Sequence, residues 1–462
     1  MKKQNKKDAY DIFHNASQVF VTMETNGIRI DKDKVEENIK ECKRQQKRYA
    51  KKVMKTEEGK KWQEIYGSDM NLFSGKQLSH ILYKEMKYPV IKRTDKGLPA
   101  TDVDALTDMK TKFTGYYVKM KQLDKIIGTY LGNFLKEEVN GRIHPFFNLH
   151  TTKSMRTSGT SPNLQNIPAR DPFITPLVRQ CIIASEGNRL VEIDYGQLEV
   201  RVSAMYHKDP VMIEYLINPD ADMHLDCACD IFKLEPENVS KMTRFFTKNK
   251  MVFAAFYGSY YAQIAADLWK SIERGEITDI NGDNIIHHLK EEGIGDYPLF
   301  EDHLKEVERI FWEERFCVYN NWKKKNRKQY TKDLKLTSLT GFDYYCFMSF
   351  NDSSNWSIQG TASNICVWSL CRLQEFIEEN NLKTKIINTV HDSILLDMPD
   401  DEMQIMFDAC ERIMTKESEN HFGFFNVPLV IEIETSQING SWHDKEESTK
   451  DDTGIWIDPH NK

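Results

Sequence analysis

Several features that would place this chain in other classes of protein are missing from its sequence. No apolar run approaches the ~18 residues that a membrane-spanning helix requires. The lysine-rich start, Met1 to Lys7, is not followed by the apolar core of a secretory signal. There is no internal repeat and no long linker rich in Gly, Pro or Ser. We therefore expect a cytoplasmic protein without a membrane partner, whose 462 residues fold into two or three interwoven subdomains.

The nine cysteines and the net charge do not indicate a zinc site or a basic nucleic-acid-binding domain. Cys227-x-Cys229 is the only close cysteine pair, and its gap is too short for a usual zinc site, so we interpret the cysteines as reduced core thiols. The net charge of −7 is not that of a basic domain. Residues 322–328 are locally basic, although a solvated helix face is the favoured interpretation. A DNA-binding cleft needs only a local basic lining and is not excluded.

Two apolar stretches that end in aspartate are the most informative features present. The run Leu190 to Ile193 predicts a buried strand that ends at Asp194, and the run Ile386 to Val390 predicts another that leads to Asp392. One such aspartate usually caps or terminates a strand. Two of them, ~200 residues apart in sequence, can meet across one sheet and hold Mg²⁺, which takes one or two carboxylates together with water and phosphate oxygens. The pair predicts a two-metal phosphoryl-transfer site.

Five motifs resemble those of family A DNA polymerases, the family of bacterial DNA polymerase I. They occur in the family's order and span Arg156 to Ser393. Weaker similarity runs back to about Tyr10 and forward to Trp442. The motifs are Arg156-Thr-Ser-Gly-Thr-Ser-Pro-Asn-Leu-Gln-Asn-Ile-Pro168, Asp194-Tyr-Gly-Gln-Leu-Glu-Val-Arg201, Arg244-x-x-x-Lys248 followed by Phe253 and Tyr257-Gly258, Asn355-x-x-x-Gln359-Gly-Thr-Ala362, and Val390-His-Asp-Ser393.

The resemblance implies an α+β right-hand polymerase fold, with a palm built on a mostly antiparallel sheet and with helical fingers and thumb. The chain begins almost where the family's proofreading exonuclease would end, so we expect no exonuclease domain. The expected parts are an N-terminal segment that joins palm and thumb (1–30), the thumb (31–139), the first part of the palm (140–205), the fingers (206–338) and the second part of the palm (339–462).

The implied function is DNA-templated DNA synthesis, in which deoxynucleotides are added to a primer 3′-hydroxyl by two-metal nucleotidyl transfer. The implied cofactors are two Mg²⁺ ions, and the implied partners are primer-template DNA, dNTPs and a separate exonuclease or processivity factor. A single-subunit RNA polymerase remains an alternative, against which Glu199 argues. A non-catalytic DNA-binding accessory subunit is another, against which both retained aspartates argue. The compact chain resembles viral members more than bacterial ones, which would place it in the host cytoplasm.

The same resemblance assigns the site residues. Asp194 and Asp392 would be catalytic and, together with Tyr195, would hold the metal ions. Glu199 would crowd the 2′ side of the sugar and exclude ribonucleotides, and Phe253 implies discrimination against dideoxynucleotides. The residues expected to bind the incoming nucleotide are Arg244, Lys248, His224, Phe253, Tyr257, Glu199 and Gln197. The residues expected to bind primer-template DNA are Arg156, Gln165, Asn166, Asn355, Gln359 and His391.

Some positions depart from the family pattern. Ser393 stands where the family commonly has Glu, so a third carboxylate is missing from the site. Glu192 shares the strand face of Asp194 and could add charge near the metals, although a solvated or salt-bridged Glu is the favoured interpretation. Asp397 lies an odd number of residues after Asp392, so on a strand its side chain would face the opposite side of the sheet. It is therefore a poor substitute for the missing third carboxylate. Asn351 replaces a frequent Arg, which puts one primer-template contact in doubt.

The fingers motif is one residue longer than usual, because Phe253 is the fifth residue after Lys248, where the family usually has its aromatic residue at the fourth. One extra residue turns the helix face by about 100°. Either a bulge such as a π-bulge absorbs this residue, or Lys250 takes the phosphate-binding role; Lys248 is favoured. The following stretch, 259–310, also looks longer than in bacterial members. Its Asn281-Gly282 pair predicts a tight turn, and the stretch has no assigned function.

Overall fold

The protein is described by a computed structural model that covers residues 6–94, 96–168 and 171–460. Most of the lysine-rich start lies outside these ranges. The N-terminal segment forms α1 (Lys6–Asn26) and β1 (Ile28–Arg29). One face of α1 is buried in the largest hydrophobic core through residues such as Ala16 and Phe20. In the described part of the chain, no helix is both long and apolar enough to cross a membrane.

Helices make up most of the region predicted to be the thumb. Trp62, Phe113 and Tyr117 are buried there in a small core of their own. Two short strands after the helices pair antiparallel with each other, and the second also pairs with β1. The elements are α2 (Lys32–Met54), α3 (Glu57–Tyr66), α4 (Gly75–Ser79), α5 (Val103–Asp108), α6 (Lys112–Lys125), α7 (Gly132–Glu137), β2 (Glu138–Val139) and β3 (Arg142–Ile143), with π-helical segments at His80–Glu85 and Ile126–Leu131.

The next elements lie in the regions predicted to be the first part of the palm and the fingers. The palm elements are β4 (Phe146–Asn148), β5 (Ser158–Thr160), α8 (Ile174–Arg179), β6 (Asn188–Tyr195) and α9 (Leu198–His207). The fingers are helical, as predicted. Their helices are α10 (Pro210–Ile217), α11 (Met223–Phe232), α12 (Lys241–Thr247), α13 (Phe253–Phe256), α14 (Tyr261–Glu273), α15 (Ile286–Glu291), α16 (Tyr297–Ile310) and α17 (Cys317–Asp333).

The chain then returns to the palm. Its longest helix, α18, starts at a capping box in which Ser349 and Asp352 each bind the other's backbone N–H. The elements are β7 (Leu336–Thr337), β8 (Asp343–Tyr344), α18 (Phe350–Glu379), β9 (Lys385–Val390), β10 (Ser393–Pro399), α19 (Met403–Arg412), α20 (Ser418–Phe422), β11 (Ile431–Thr435), β12 (Glu446–Glu447), β13 (Thr449–Lys450) and β14 (Trp456–Ile457).

The sheet at the centre of the palm has the strand order β12-β11-β6-β10-β9, and every neighbouring pair is antiparallel. Val191 and Ile193 of β6 are fully buried in the same core as Leu370 of α18. Because side chains alternate along a strand, Glu192 and Asp194 project from the opposite face. The predicted α+β fold with a mostly antiparallel palm sheet is confirmed.

The long stretch 259–310 forms α14, α15 and α16 around the predicted tight turn, in which the backbone N–H of Asp279 donates to Asp283 O at 2.9 Å. Helix α14 also contacts α5 of the thumb region. Lys270 Nζ lies 3.4 Å from Asp108 Oδ2, and Arg274 forms an ion pair with the same carboxylate. We call these three residues the α5–α14 clasp, because they join the thumb region directly to the fingers region.

Candidate functional site

The two aspartates lie side by side at one edge of the palm sheet. Asp194 is near the end of β6, and Asp392 lies in the turn that joins β9 to β10. The residue after Asp392, Ser393, is the direct partner of Asp194 across the antiparallel pair. The backbone N–H of Tyr195 donates to Asp392 O at 3.3 Å. The structure therefore brings together the two residues that the strand patterns singled out.

The electrostatics of this pair favour a cation. Burial raises the pKa of Asp194 well above its ordinary value, and the charges of Asp392, Glu192 and Glu432 add to the effect. Burial also raises the pKa of Asp392, against the opposing effect of Arg156. A bound cation would relieve this repulsion. The described residues contain no group of three or more side chains that could hold a metal by themselves, but two carboxylates suit Mg²⁺, which completes its shell with other oxygens.

Glu192 is salt-bridged, as the favoured interpretation predicts. Its Oε1 accepts a hydrogen bond from Ser393 Oγ at 3.0 Å, and its Oε2 accepts one from Trp442 Nε1 at 2.8 Å and pairs with Lys445. Burial alone would raise the pKa of Glu192, but the charge of Lys445 holds it below its ordinary value. Asp397 is buried elsewhere, where it accepts from Asn188 Nδ2 at 2.9 Å.

The fingers helix contains the bulge that its spacing predicts. A π-helical segment, Lys248–Val252, lies between α12 and α13. Lys248 Nζ consequently stays 5.5 Å from the centre of the Phe253 ring. Lys250 points elsewhere, because its Nζ donates to Asp267 O of α14 at 3.0 Å. The geometry keeps Lys248, and not Lys250, on the face of Phe253.

The basic residues of the fingers form one group around Phe253. The ring of His224 lies 6.0 Å from that of Phe253. Burial lowers the pKa of His224 to about 4, and the charges of Arg244 and Lys248 contribute to the shift. His224 Nδ1 is buried and has no hydrogen-bond partner among the residues that the structure describes. Arg244 Nε donates to Asp222 Oδ2 at 2.5 Å, so its guanidinium is already paired with a carboxylate.

A cavity of about 350 Å³ lies between the palm edge and the fingers. Across it, Glu199 hydrogen-bonds to both Arg156 and Tyr257, and Asn355 Nδ2 donates to Tyr257 O at 3.2 Å. The predicted site residues in its wall are Arg156, Gln197, Glu199, Phe253, Tyr257, Asn355, Gln359, His391 and Asp392. Burial lowers the pKa of His391, which keeps its imidazole neutral at the palm edge.

Other predicted residues lie outside the cavity wall. Gln165 Nε2 donates to Thr389 O at 3.0 Å and so supports β9. Asn166 is exposed, and its backbone oxygen accepts from Tyr130 at 3.1 Å. The side chain of Tyr195 is buried, with its hydroxyl 2.8 Å from Ser369 Oγ. Tyr195 could therefore reach a metal only through its backbone carbonyl.

Sequence reasoning missed several residues of the cavity wall, which are Leu198, Val200, Ser203, Phe256, Tyr319, Ile358, Ala362 and Ser363. Most of them adjoin a predicted residue along the same helix, and helical spacing from that residue could have found them. Tyr319 is different, because it reaches the cavity from α17, more than 50 residues after the fingers motif, and carries no local signal. The packing of α17 against α9 and α18 brings it there.

A small antiparallel sheet that presents two buried aspartates beside a cavity, with a cationic helix on the far side, is the arrangement of a polymerase palm and fingers. The model of "DNA polymerase family A" matches residues 39–444, and the chain belongs to that family. This confirms the resemblance carried by the five motifs.

The curated relatives are longer than this chain. DNA polymerase I of Caldicellulosiruptor bescii is 29% identical over 90% of the chain and 45% of its own length. The DNA polymerase of Bacillus phage SP01 is 28% identical over 84% of the chain and 41% of its own length. The chain thus spans less than half the length of these relatives. Similarity to both a bacterial and a phage protein leaves the viral origin a prediction.

A solved structure has the same fold. It is the POL domain of Pol1 from M. smegmatis in complex with DNA primer-template and dNTP, with a TM-score of 0.75. The two chains are 23% identical, and the match covers 93% of this chain and 70% of the other. At this identity, the comparison shows the fold alone.

Proposed function

We propose that this chain is a DNA-templated DNA polymerase that adds deoxynucleotides to the 3′-hydroxyl of a primer. The observation that carries the proposal is that Asp392 and Glu199 line one cavity, with Asp194 beside Asp392 at the sheet edge. A carboxylate pair for cations and a pocket for a nucleotide are then adjacent, as nucleotidyl transfer requires. Membership of family A supports the same reaction.

Asp194 and Asp392 would hold two Mg²⁺ ions, with the backbone carbonyl of Tyr195 as a further oxygen donor. When bound, such ions stabilise the attacking and leaving oxygens of an in-line displacement. The protein itself would contribute two carboxylates that are buried and adjacent, so that their mutual repulsion favours a bound cation. Arg156, which lowers the pKa of Asp392, would help to keep that carboxylate ionised.

Arg244, Lys248 and His224 would bind the triphosphate of the incoming nucleotide. The π-helical segment keeps Lys248 on the same side as His224 and Phe253. Arg244 is paired with Asp222 here, so a phosphate would have to compete with that carboxylate for the guanidinium. Hydrogen bonds between ionised groups are roughly twice as strong as neutral ones, which suits this cluster to a polyanion.

Glu199 would exclude ribonucleotides by occupying the space beside the 2′ carbon. Its carboxylate is held by Arg156 and Tyr257 on its two oxygens, so it cannot turn away without losing both contacts. By the family resemblance, Phe253 and Tyr257 would pack on the nucleotide and on the template base. Gln197 lies in the same wall and would contact the nucleotide.

Arg156 and Gln359 would bind the minor groove at the primer end, where the acceptors are nearly common to all base pairs. Asn355 and His391 lie in the same wall and would assist. Gln165 and Asn166 would hold the template side, Gln165 through its support of β9. The M. smegmatis relative was solved with DNA primer-template and dNTP, which supports these partners.

The test is primer extension on a recessed template with Mg²⁺ and all four dNTPs, beside the Asp392→Asn variant. We expect the parent to extend the primer and the variant not to. Extension with ribonucleotides alone would favour a single-subunit RNA polymerase. DNA binding by the parent without extension under any nucleotide condition would favour the accessory subunit. The lack of a 3′→5′ exonuclease and the need for a separate exonuclease or processivity factor stay predictions, and removal of a mismatched primer end would contradict the first.

A further inference from the structure

Glu192 is connected to both catalytic aspartates through the palm sheet. It lies two residues before Asp194 on β6 and projects from the same face. Its other connection is Ser393, whose Oγ donates to Glu192 Oε1 at 3.0 Å. Ser393 directly follows Asp392 in the chain and pairs with Asp194 across the strands. The hydroxyl of Ser393 therefore links the carboxylate of Glu192 to the turn that carries Asp392.

The surroundings of Glu192 hold its carboxylate in one position. Its second oxygen accepts from Trp442 Nε1 at 2.8 Å and pairs with Lys445, and both partners are buried. Behind them, the guanidinium of Arg179 lies 4.0 Å from the Trp442 ring. Replacing such a buried ion pair by apolar residues is often neutral or stabilising, so the network is weak evidence for a role in stability. The hydrogen-bond donors of this network instead hold the carboxylate of Glu192 in one position.

Lys445, the counter-ion of Glu192, is shared with a second carboxylate. Lys445 Nζ also lies 2.6 Å from Glu434 Oε2 of β11. Glu434 is the direct cross-strand partner of Glu192, but half of its side chain is exposed, whereas only 14% of Glu192 is. Arg179 is a second cation that acts on both carboxylates, so the group as a whole is not negative. Glu192 is the buried carboxylate of this group, and its charge reaches the aspartate pair, because, in addition to burial, it raises the pKa of both aspartates.

We propose that Glu192 is a positioning residue of the cation site. Through Ser393 it fixes the turn that carries Asp392, and its buried charge strengthens the attraction of the aspartate pair for divalent cations. Groups that hydrogen-bond to the surroundings of metal ligands commonly set metal affinity in this way. The inference rests on the proposed function, because it requires Asp194 and Asp392 to bind the cations.

The test measures the binding of Mn²⁺ to the whole chain, without DNA or nucleotide, by the loss of the free-ion signal in electron paramagnetic resonance. We expect Glu192→Gln to weaken Mn²⁺ binding by about tenfold, the lower end of the range for such positioning groups. Ser393→Ala should weaken it in the same direction, because it breaks the link and leaves the charge. The comparison variant is Glu434→Gln, which removes the other carboxylate on Lys445. It should weaken binding less than Glu192→Gln does, because half of the Glu434 side chain is exposed and solvent screens its charge.

A relocation variant separates this role from a merely structural one. Position 393 faces the aspartate pair, so Glu192→Gln combined with Ser393→Glu should regain most of the lost affinity. Failure to regain it, or unchanged affinity in both Glu192→Gln and Ser393→Ala, would overturn the inference. Thermal unfolding identifies any variant that does not fold. If Glu192→Gln does not fold, the Mn²⁺ affinity of Ser393→Ala decides whether the inference holds. Asp194→Asn is the reference: if it too leaves Mn²⁺ binding unchanged, the proposed cation site itself is wrong.

Discussion

Among single residues, His207 is the one whose protonation the fold opposes most clearly. Its Nδ1 accepts from the backbone N–H of Asp209 at 3.0 Å, and its ring stacks on Tyr319 with the ring centres 4.1 Å apart. Burial lowers the pKa of His207 from 6.5 to about 3. The unfolded chain binds a proton there below about pH 6.5, whereas the folded protein does not until about pH 3. The free energy of unfolding should therefore fall as the pH falls through that window.

We expect His207→Gln to reduce this acid sensitivity. One proton contributes at most ~1.4 kcal/mol per pH unit to the free energy of unfolding. Between about pH 6.5 and about pH 5, the free energy of unfolding should therefore fall by up to ~2 kcal/mol less in the variant than in the parent. Urea unfolding at a series of pH values measures it. The control is His443→Gln, because His443 is exposed. Equal pH profiles for the parent and both variants would contradict the prediction.

Glu199 gives a prediction on substrate choice. Removing its carboxylate in Glu199→Ala opens the space beside the 2′ carbon, so we expect the preference for deoxynucleotides over ribonucleotides to fall by at least roughly tenfold, as for one steric group in a pocket. Single-nucleotide incorporation with dNTP and rNTP measures the ratio. Tyr257→Phe removes one hydrogen bond to Glu199 but keeps the carboxylate, so it should retain most of the preference. Unchanged ribonucleotide incorporation in Glu199→Ala would refute the steric role.

At this scale, the sequence was enough to single out nine residues that the structure places in one cavity wall, but not their partners. Asp194 and Asp392 could be predicted because each ends an apolar run, a pattern that is local to the chain. The pairing of Arg244 with Asp222, and the sharing of Lys445 by Glu192 and Glu434, could not. These contacts depend on how separate helices and strands pack, and no local spacing encodes that packing.

Among the elements, the π-helical segment of the fingers helix sets which lysine lies near Phe253, and we proposed that this lysine binds phosphate. We expect Lys248→Ala to raise the KM for dNTPs by about 10- to 100-fold, because a hydrogen bond to a charged group contributes roughly 1.5–3 kcal/mol. Lys250→Ala should have a much smaller effect on KM, since Lys250 Nζ binds Asp267 O of α14. Steady-state primer extension measures both. A large effect confined to Lys250→Ala would assign the role to Lys250.

The same helix shows how far spacing can predict an element. The offset of five positions from Lys248 to Phe253 was enough to favour a bulge, and one is present at Lys248–Val252. The sequence was less informative in the region predicted to be the thumb. The stretch 32–66 is rich in Lys and Glu and has the amphipathic pattern that is typical of one long helix. Two helices form instead, because Thr56 caps the second and Gly59 packs against the backbone of the first, where an added Cβ would lie 2.1 Å from Val53 O. Close backbone approach of this kind leaves no periodic signal.

For the whole molecule, the α5–α14 clasp is the contact that couples thumb to fingers. Asp108, only 14% exposed, pairs with Arg274 and Lys270. Exposed ion pairs contribute about 0.2–1 kcal/mol each, so we expect Asp108→Lys to lower severalfold the fraction of molecules in which the clasp is formed. Spin labels on α5 and α14 would report a longer mean distance in the variant, and the parent should approach the same distance as salt is added.

Two further variants test this expectation. Asp108→Lys combined with Arg274→Glu and Lys270→Glu restores opposite charges and should restore the short distance. Val103→Lys adds a positive charge to the same helix at an exposed position, so it should leave the distance unchanged. A distance that is indifferent to Asp108→Lys would mean that the clasp does not hold the two regions together.

The clasp also bears on how a nucleic acid could reach the cavity. The ion pairs of the clasp join side chains of α5 to side chains at the end of α14. A duplex that entered between these two helices would have to wait until the ion pairs break. Higher ionic strength, which weakens most contacts between proteins and DNA, would then speed this opening while it weakens the binding that follows.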